Sequence, residues 1–241
     1  MPSPATPTEI LILAGGFGTR LQSVVSEVPK PMAPVNETPF LAHLIRFWAS
    51  KGITRAVLSI GYLGNVIKDY FGDSFANVAI EYIQETSPLG TGGAIRYALQ
   101  QSKWNTNDVW IINGDTWFDA DLNQIHSLSQ NADATITLGI KQLDVNSRYG
   151  GVLVDTQGKI SEFGVPPADS SLINTGVYLA NHPKLITELA SEAATFSFEQ
   201  RSLVQLAAAG KCYGSVQTGG FLDIGIPEDY ARAPKFIENY L

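Results

Sequence analysis

The strongest constraint on this chain lies near its start, where an apolar run stops abruptly in glycines. Residues 9–14, EILILA, are apolar after the first position, and such an unbroken run reads as a strand covered on both faces, as in a parallel sheet. Gly15, Gly16 and Gly18 follow, three glycines within four residues. They let the backbone turn sharply and bring its N–H groups close to an anion. Thr19 and Arg20 complete the turn, and Lys30 stands further on between Pro29 and Pro31. A bare Gly-Gly-x-Gly is ordinarily a strand-to-helix turn. With Arg20 and Lys30 attached, the pattern points to a polyphosphate cradle. It fits neither common template. A Walker A loop needs Gly-Lys-Ser/Thr after its last glycine, and the Rossmann pattern counted from Gly16 needs a glycine where Leu21 stands.

At 241 residues the chain is long enough to bury a sizeable core, as one large α/β domain or two small ones. A net charge of -7 argues against nucleic-acid and anionic-membrane partners. No apolar run approaches the roughly 20 residues that cross a bilayer. The first eight residues, MPSPATPT, lack the basic and apolar regions of a secretory signal and read as a disordered tail. Cys212 is the single cysteine, which excludes an intrachain disulfide and suits a reducing cytoplasm.

Strands and helices then alternate. Helices are expected over residues 39–51, capped by Thr38 and closed by Gly52, and over 63–71 and 91–101. Strands are expected over 56–60, 78–83 and 109–112. Such alternation argues for a parallel sheet with right-handed crossovers, whose ligands sit beyond the carboxyl ends of the strands. Three of those ends carry unusual chemistry: Gly15 to Arg20, Gln84 to Thr91, and Asn113-Gly114-Asp115. The second half is denser in strands (134–140, 152–154, 158–163, 172–180 and 212–216), which suggests an antiparallel extension. Helices are expected near 182–190 and 198–209, with a last one from Pro227. The simplest division is one continuous domain, with a nucleotide half over about residues 9–130 and an acceptor half over about 131–241.

Asp115 follows an apolar strand and a glycine, and Asp223 sits in a similar setting, FLDIG. Two strand-end aspartates could share a hard cation such as Mg2+, although a lone aspartate there is more often a turn residue. His43, His126 and His182 lack metal-ligand spacing and are expected on helix surfaces or ends. Trp110 and Trp117 read as packing residues. Glu188, Glu192 and Glu199 read as solvated helix faces. No Gly-x-Ser-x-Gly or Ser-His-Asp order is present.

The opening LAGGFGTRL with its later PKP resembles the sugar-1-phosphate nucleotidyltransferases, and the resemblance runs nearly the whole chain. It implies a doubly wound, mostly parallel mixed sheet, a Rossmann-like fold of the GT-A kind. It also implies attack of a sugar 1-phosphate on the α-phosphorus of a nucleoside triphosphate. Carried over motif by motif, Leu13, Ala14, Gly15, Gly16, Gly18, Thr19 and Arg20 form the phosphate loop. Lys30 contacts the reacting phosphates, and Gly114-Asp115 with the DIGIPED segment from Asp223 supplies the Mg2+ ligands Asp115 and Asp223. The ETSPLGTGG segment brings Glu85, Gly90 and Thr91 to the nucleotide. Tyr149-Gly150 and Asn174-Thr175-Gly176 face the sugar.

One departure stands out. Many relatives carry F-x-E-K-P where this chain has Phe163-Gly164-Val165-Pro166-Pro167, so the glutamate and lysine that hold the sugar phosphate are missing. Arg148 or Lys141 are the candidates to replace them. That loss keeps a second class in view, a relative that senses a sugar nucleotide without turning it over; the retained Arg20, Lys30, Asp115 and Asp223 favour the enzyme. Within the family, PKPMAP, NGDTWFD and FSFE most resemble the D-glycero-α-D-manno-heptose-1-phosphate guanylyltransferases, which implies GTP as donor and a heptose 1-phosphate as acceptor. Mannose 1-phosphate guanylyltransferase and glucose 1-phosphate thymidylyl- or uridylyltransferase activities are the alternatives. A homo-oligomer is compatible with the sequence and not specified by it.

Overall fold

The computed structural model describes residues 6–16, 21, 28–143, 149–166 and 169–240. In the first half the elements run β1 (Glu9–Leu13), β2 (Pro34–Val35), β3 (Thr38–Pro39), α1 (Phe40–Ser50), β4 (Arg55–Ile60), α2 (Gly64–Phe71), β5 (Ser74–Phe75), β6 (Val78–Gln84), α3 (Gly90–Gln101), β7 (Asp108–Asn113), β8 (Thr116–Phe118) and α4 (Leu122–Ala132). The second half adds β9 (Ile136–Gln142), β10 (Gly151–Val154), β11 (Ile160–Val165), β12 (Leu172–Asn181), α5 (His182–Leu189), a π turn over Phe198–Ser202, α6 (Leu203–Ala208), β13 (Cys212–Gln217), β14 (Phe221–Asp223) and α7 (Pro227–Ile237).

Among the described residues, ten strands form one mixed sheet. Its centre is parallel, with β1 between β4 and β7 and β6 outside β4. The second half joins through β12, which lies antiparallel to β7 and to β9, and β13 adds parallel to β9. Alternate residues of β1 explain why helices cover both faces. Ile10 and Ile12 pack with Leu41, Leu44 and Trp48 of α1 and Ile237 of α7. Leu11 points the other way, into a cluster with Ile95 and Leu99 of α3, Leu185 of α5 and Leu203 of α6. Burial of each such side chain stabilises the fold by about 1.5–3 kcal/mol relative to exposure. This is the doubly wound, mostly parallel arrangement expected from the strand and helix alternation.

Several local expectations are corrected. Residues 6–8 of the supposed tail are held: Trp110 Nε1 donates to Pro7 O at 3.0 Å, and Thr54 N to Thr8 O at 2.9 Å. The preceding residues lie outside the described ones. Thr38 makes no cap. It pairs with Val35 in a two-residue ribbon, and α1 starts after Pro39 with no side-chain cap. α4 was not anticipated, because its LNQIHSLSQNA sequence offers few apolar positions. Asp121 caps it, its side chain accepting from Gln124 N at 3.1 Å. His43 and His126 are buried, not on the surface. His43 Nε2 lies 2.9 Å from Val35 O, and His126 Nε2 lies 4.0 Å from Asp108 Oδ2. Trp110 and Trp117 are fully buried, as packing residues should be.

Candidate active site

The carboxyl ends of β1, β4, β6 and β7 open on one cavity of about 370 Å3. Leu13, Gly15 and Gly16 line it from the end of β1, Glu85 from the loop after β6, Gly90 and Thr91 from the start of α3, and Asn113 and Asp115 from the end of β7. Lys30 and Gly225 close its other side. Ala14 and Gly114 lie beneath this lining. Ala14 N donates to Ser59 O at 2.8 Å, and Gly114 N to Leu13 O at 2.9 Å. A Cβ on Gly114 would stand 2.7 Å from Leu13 O, so only glycine lets β1 and β7 close up at their ends. Gly18, Thr19 and Arg20 lie outside the described residues.

Asp115 and Asp223 are brought together by the antiparallel β8–β14 ribbon, in which Asp223 pairs with Thr116. Ile224 N donates to Asp115 O at 3.0 Å and fixes the register. Lys30 enters from a 3-10 turn, Lys30–Met32, whose Pro31 and Met32 are buried and so anchor it. Its Nζ lies 2.5 Å from Asp115 Oδ2 and 3.8 Å from Asp223 Oδ1. Tyr149 Oη donates to Asp223 Oδ2 at 3.2 Å, and Gly225 N to Asp223 Oδ1 at 2.7 Å. Two carboxylates beside a glycine-lined cavity fit a hard divalent cation that takes its remaining ligands from other oxygens. Among the described residues no cluster of three or more His, Cys, Asp or Glu could hold a metal by itself.

Glu85 faces the cavity half-buried. Its Oε1 accepts from Ser59 Oγ and its Oε2 from Leu89 N, each at 3.2 Å. Burial raises its pKa above the ordinary carboxyl value, and these two hydrogen bonds oppose the rise. Gly90 has φ +69°, and a Cβ there would meet Phe196 O at 2.5 Å, so a side chain is excluded twice over. Ser59 is a lining residue that sequence reasoning missed; Leu89, Asn113 and Gly225 stand in segments it singled out without a role of their own. A strand-end serine carries no local signature.

On the acceptor side the expected residues flank a bulge in β12. Gly176, at φ +74°, breaks the β12–β9 register between Asn174 and Tyr178. Asn174 Oδ1 accepts from Gly176 N at 3.0 Å, and its Nδ2 donates to Tyr178 Oη at 2.7 Å. Thr175 is buried and donates to Gly139 O at 2.7 Å, so its hydroxyl shapes the bulge instead of facing the cavity. Gly150 is exposed and its Cα side stands against Gly164, the first residue after Phe163. Lys141 does not replace the missing lysine: its Nζ donates to the carbonyls of Thr218 and Gly219, at 3.0 and 2.6 Å. Arg148 lies outside the described residues. Glu192 and Glu199 are not solvated faces. Glu192 pairs with Arg201, and Glu199 accepts from Thr91 Oγ1 at 2.6 Å. Glu188 is partly exposed and pairs with Lys211. Among the described residues no helix is long and apolar enough to cross a membrane.

Comparisons with known proteins agree with this geometry. The D-glycero-α-D-manno-heptose 1-phosphate guanylyltransferase of Aneurinibacillus thermoaerophilus is 41% identical over 97% of this chain and 100% of its own. A protein of the same description from Campylobacter jejuni is 38% identical over 92% of this chain and 96% of its own. The crystal structure of HddC from Yersinia pseudotuberculosis complexed with GMP-PN superposes with a TM-score of 0.80 at 31% identity, covering 95% of this chain and 98% of that one. The family model described as nucleotidyl transferase matches residues 9–240. The chain therefore belongs to the nucleotidyl transferase family.

Proposed function

We propose that this chain transfers GMP from GTP to D-glycero-α-D-manno-heptose 1-phosphate, giving GDP-heptose and pyrophosphate. The observation that carries this reading is the convergence of Lys30, Asp115 and Asp223 at the mouth of the cavity formed by Gly15, Gly16 and Glu85. Near-full-length likeness to heptose 1-phosphate guanylyltransferases supports the choice of substrates.

In this reaction an oxygen of the sugar phosphate attacks the α-phosphorus of GTP. The bond from the α-phosphorus to the oxygen bridging to the β-phosphorus breaks, and that electron pair leaves with pyrophosphate. No covalent enzyme intermediate is needed, so catalysis is positioning plus charge neutralisation. The backbone at Gly15 and Gly16 admits the triphosphate, and Arg20 offsets charge on the leaving pyrophosphate. Lys30 balances charge on the reacting phosphates. Asp115 and Asp223 would hold Mg2+, which when bound supplies a point of positive charge shared by the phosphate oxygens. Glu85 accepts from a guanine N–H, a pairing that adenine would leave unmade. Gly150 and the Asn174–Gly176 bulge bound the acceptor side. Both halves act as one unit, joined across the β7–β12 seam.

A panel assay tests the proposal. GTP, ATP, CTP, UTP and dTTP are each offered with heptose, mannose and glucose 1-phosphates, and pyrophosphate release is followed. GTP with the heptose phosphate should be the preferred pair. Preference for dTTP or UTP with glucose 1-phosphate overturns the substrate assignment, and no release with any pair favours a sensing role.

A further inference from the structure

The nucleobase side of the cavity is not self-supporting. Residues 88–92 are fastened to residues 195–199, a segment from the far half of the chain. Phe196 N donates to Leu89 O at 3.1 Å and Gly92 N donates to Phe196 O at 3.0 Å. Thr195 Oγ1 donates to Pro88 O at 3.2 Å. At the centre of the zipper is Thr91. Its hydroxyl accepts from Phe198 N at 2.8 Å and donates to Glu199 Oε2 at 2.6 Å. A hydroxyl with one proton, so engaged, has no donor left for a ligand.

Glu199 lies in the first turn of the π helix, a rare winding that recurs at functional sites. Ser197 Oγ also donates to its Oε2, at 3.2 Å. The carboxylate faces a wholly buried tyrosine as well. Tyr178 is held far above its ordinary pKa by burial first and then by the charge of Glu199. Tyr178 Oη in turn accepts from Asn174 of the acceptor bulge. On the other side, Leu89, whose carbonyl oxygen is held by Phe196 N, gives its own N–H to Glu85 Oε2.

We propose that Glu199 is a positioning residue for base selection, which fixes the Leu89–Thr91 wall through the Thr91 hydroxyl and thereby the direction of the Glu85 carboxylate. It touches no nucleotide itself. The inference rests on the reading of this cavity as the guanine site. Loss of the Glu199 acceptor leaves the Thr91 hydroxyl proton without its partner and loosens the wall that aims Glu85. Discrimination suffers more than turnover, because Lys30 and Asp115 sit on other elements.

The test compares kcat and KM for GTP and ATP in the wild type and in the Glu199→Ala, Glu199→Gln, Thr91→Val and Thr91→Ser variants. Glu199→Ala and Thr91→Val should each lower the GTP-over-ATP ratio of kcat/KM about tenfold, the scale of one lost hydrogen bond. Most of that change should fall on the KM for GTP. Glu199→Gln keeps an acceptor oxygen and Thr91→Ser keeps the hydroxyl, so both should retain the wild-type ratio. The Thr91→Val/Glu199→Ala double variant should be no worse than either single one, since both remove the same link. If Glu199→Ala does not fold, Thr91→Val carries the test alone. An unchanged ratio in a folded Thr91→Val or Glu199→Ala protein overturns the proposal, as do additive losses in the double variant. A wild type that does not prefer GTP over ATP would instead overturn the guanine reading itself.

Discussion

Lys30 Nζ lies 2.5 Å from Asp115 Oδ2, and the same ammonium lies 3.8 Å from Asp223 Oδ1. Lys30 is nearly enclosed, with 9% of its side chain exposed, and Asp223 with 15%. One cation between two carboxylates relieves the repulsion that would otherwise hold them apart. It also places a fixed positive charge beside the cavity where phosphates would lie. The site therefore carries a positive group already in place, which reduces the reorganisation needed when an anion arrives.

Asp223→Asn should cut kcat by about a hundredfold or more with Mg2+ and leave the far-UV spectrum unchanged, since the proposed cation site would lose one charge-bearing ligand. Asp115→Asn should behave alike. Near-normal turnover of Asp223→Asn would remove Asp223 from the cation site.

Lys30→Ala should lower kcat/KM by about 2–4 kcal/mol, the scale for losing one charge-stabilising group. The variant also removes the ammonium that Asp115 and Asp223 share. Mn2+ should therefore bind the nucleotide-free Lys30→Ala protein more tightly than the wild type, which a paramagnetic titration would read. Arg20→Ala should show a comparable loss of kcat/KM, and full activity of that variant would mark the glycine loop as structural.

Glu85 titrates above the ordinary carboxyl range because burial disfavours its charged form. A raised folded-state pKa favours folding fully below the unfolded value, and that advantage is lost as pH rises through the folded value. Glu85→Gln should therefore gain stability relative to the wild type across the window just above the ordinary glutamate pKa, and no relative gain should appear below it. Nucleotide binding should follow the opposite sense. Wild-type affinity for GTP should fall as the pH is lowered through the same window, and the fall should vanish in Glu85→Gln. Calorimetry across that range checks both.

Gly114→Ala places a Cβ 2.7 Å from Leu13 O, a backbone atom that cannot swing aside. Stability should drop by about 1–3 kcal/mol, as for other overpacked sites. Asp115, the next residue, should be displaced with it, so kcat should fall more than the melting temperature alone would explain. A variant with normal kcat would show that the β1–β7 seam relaxes without moving Asp115.

What local sequence determined is what local physics can carry. The apolar run of β1, the glycine turn behind it and the spacing of Leu41, Leu44 and Trp48 each declare an element through a period or a backbone preference within a few residues. The family resemblance rests on the same short segments, and the family match over residues 9–240 agrees with it. Tertiary structure decided the rest, because its causes are distant in sequence. α4 packs on β9 and β13, which come later in the chain, so its few apolar positions give no local cue to the face they bury. His43 and His126 look like surface residues until Val35 O and Asp108 are folded against them. Glu199 reads as a solvated helix face until Thr91 arrives from the other half of the chain. The meeting of Asp115 with Asp223 needs the β8–β14 ribbon, two three-residue strands too short to leave a periodic signal. Periodicity reports which face of an element is buried; only the closed fold reports which residue buries it.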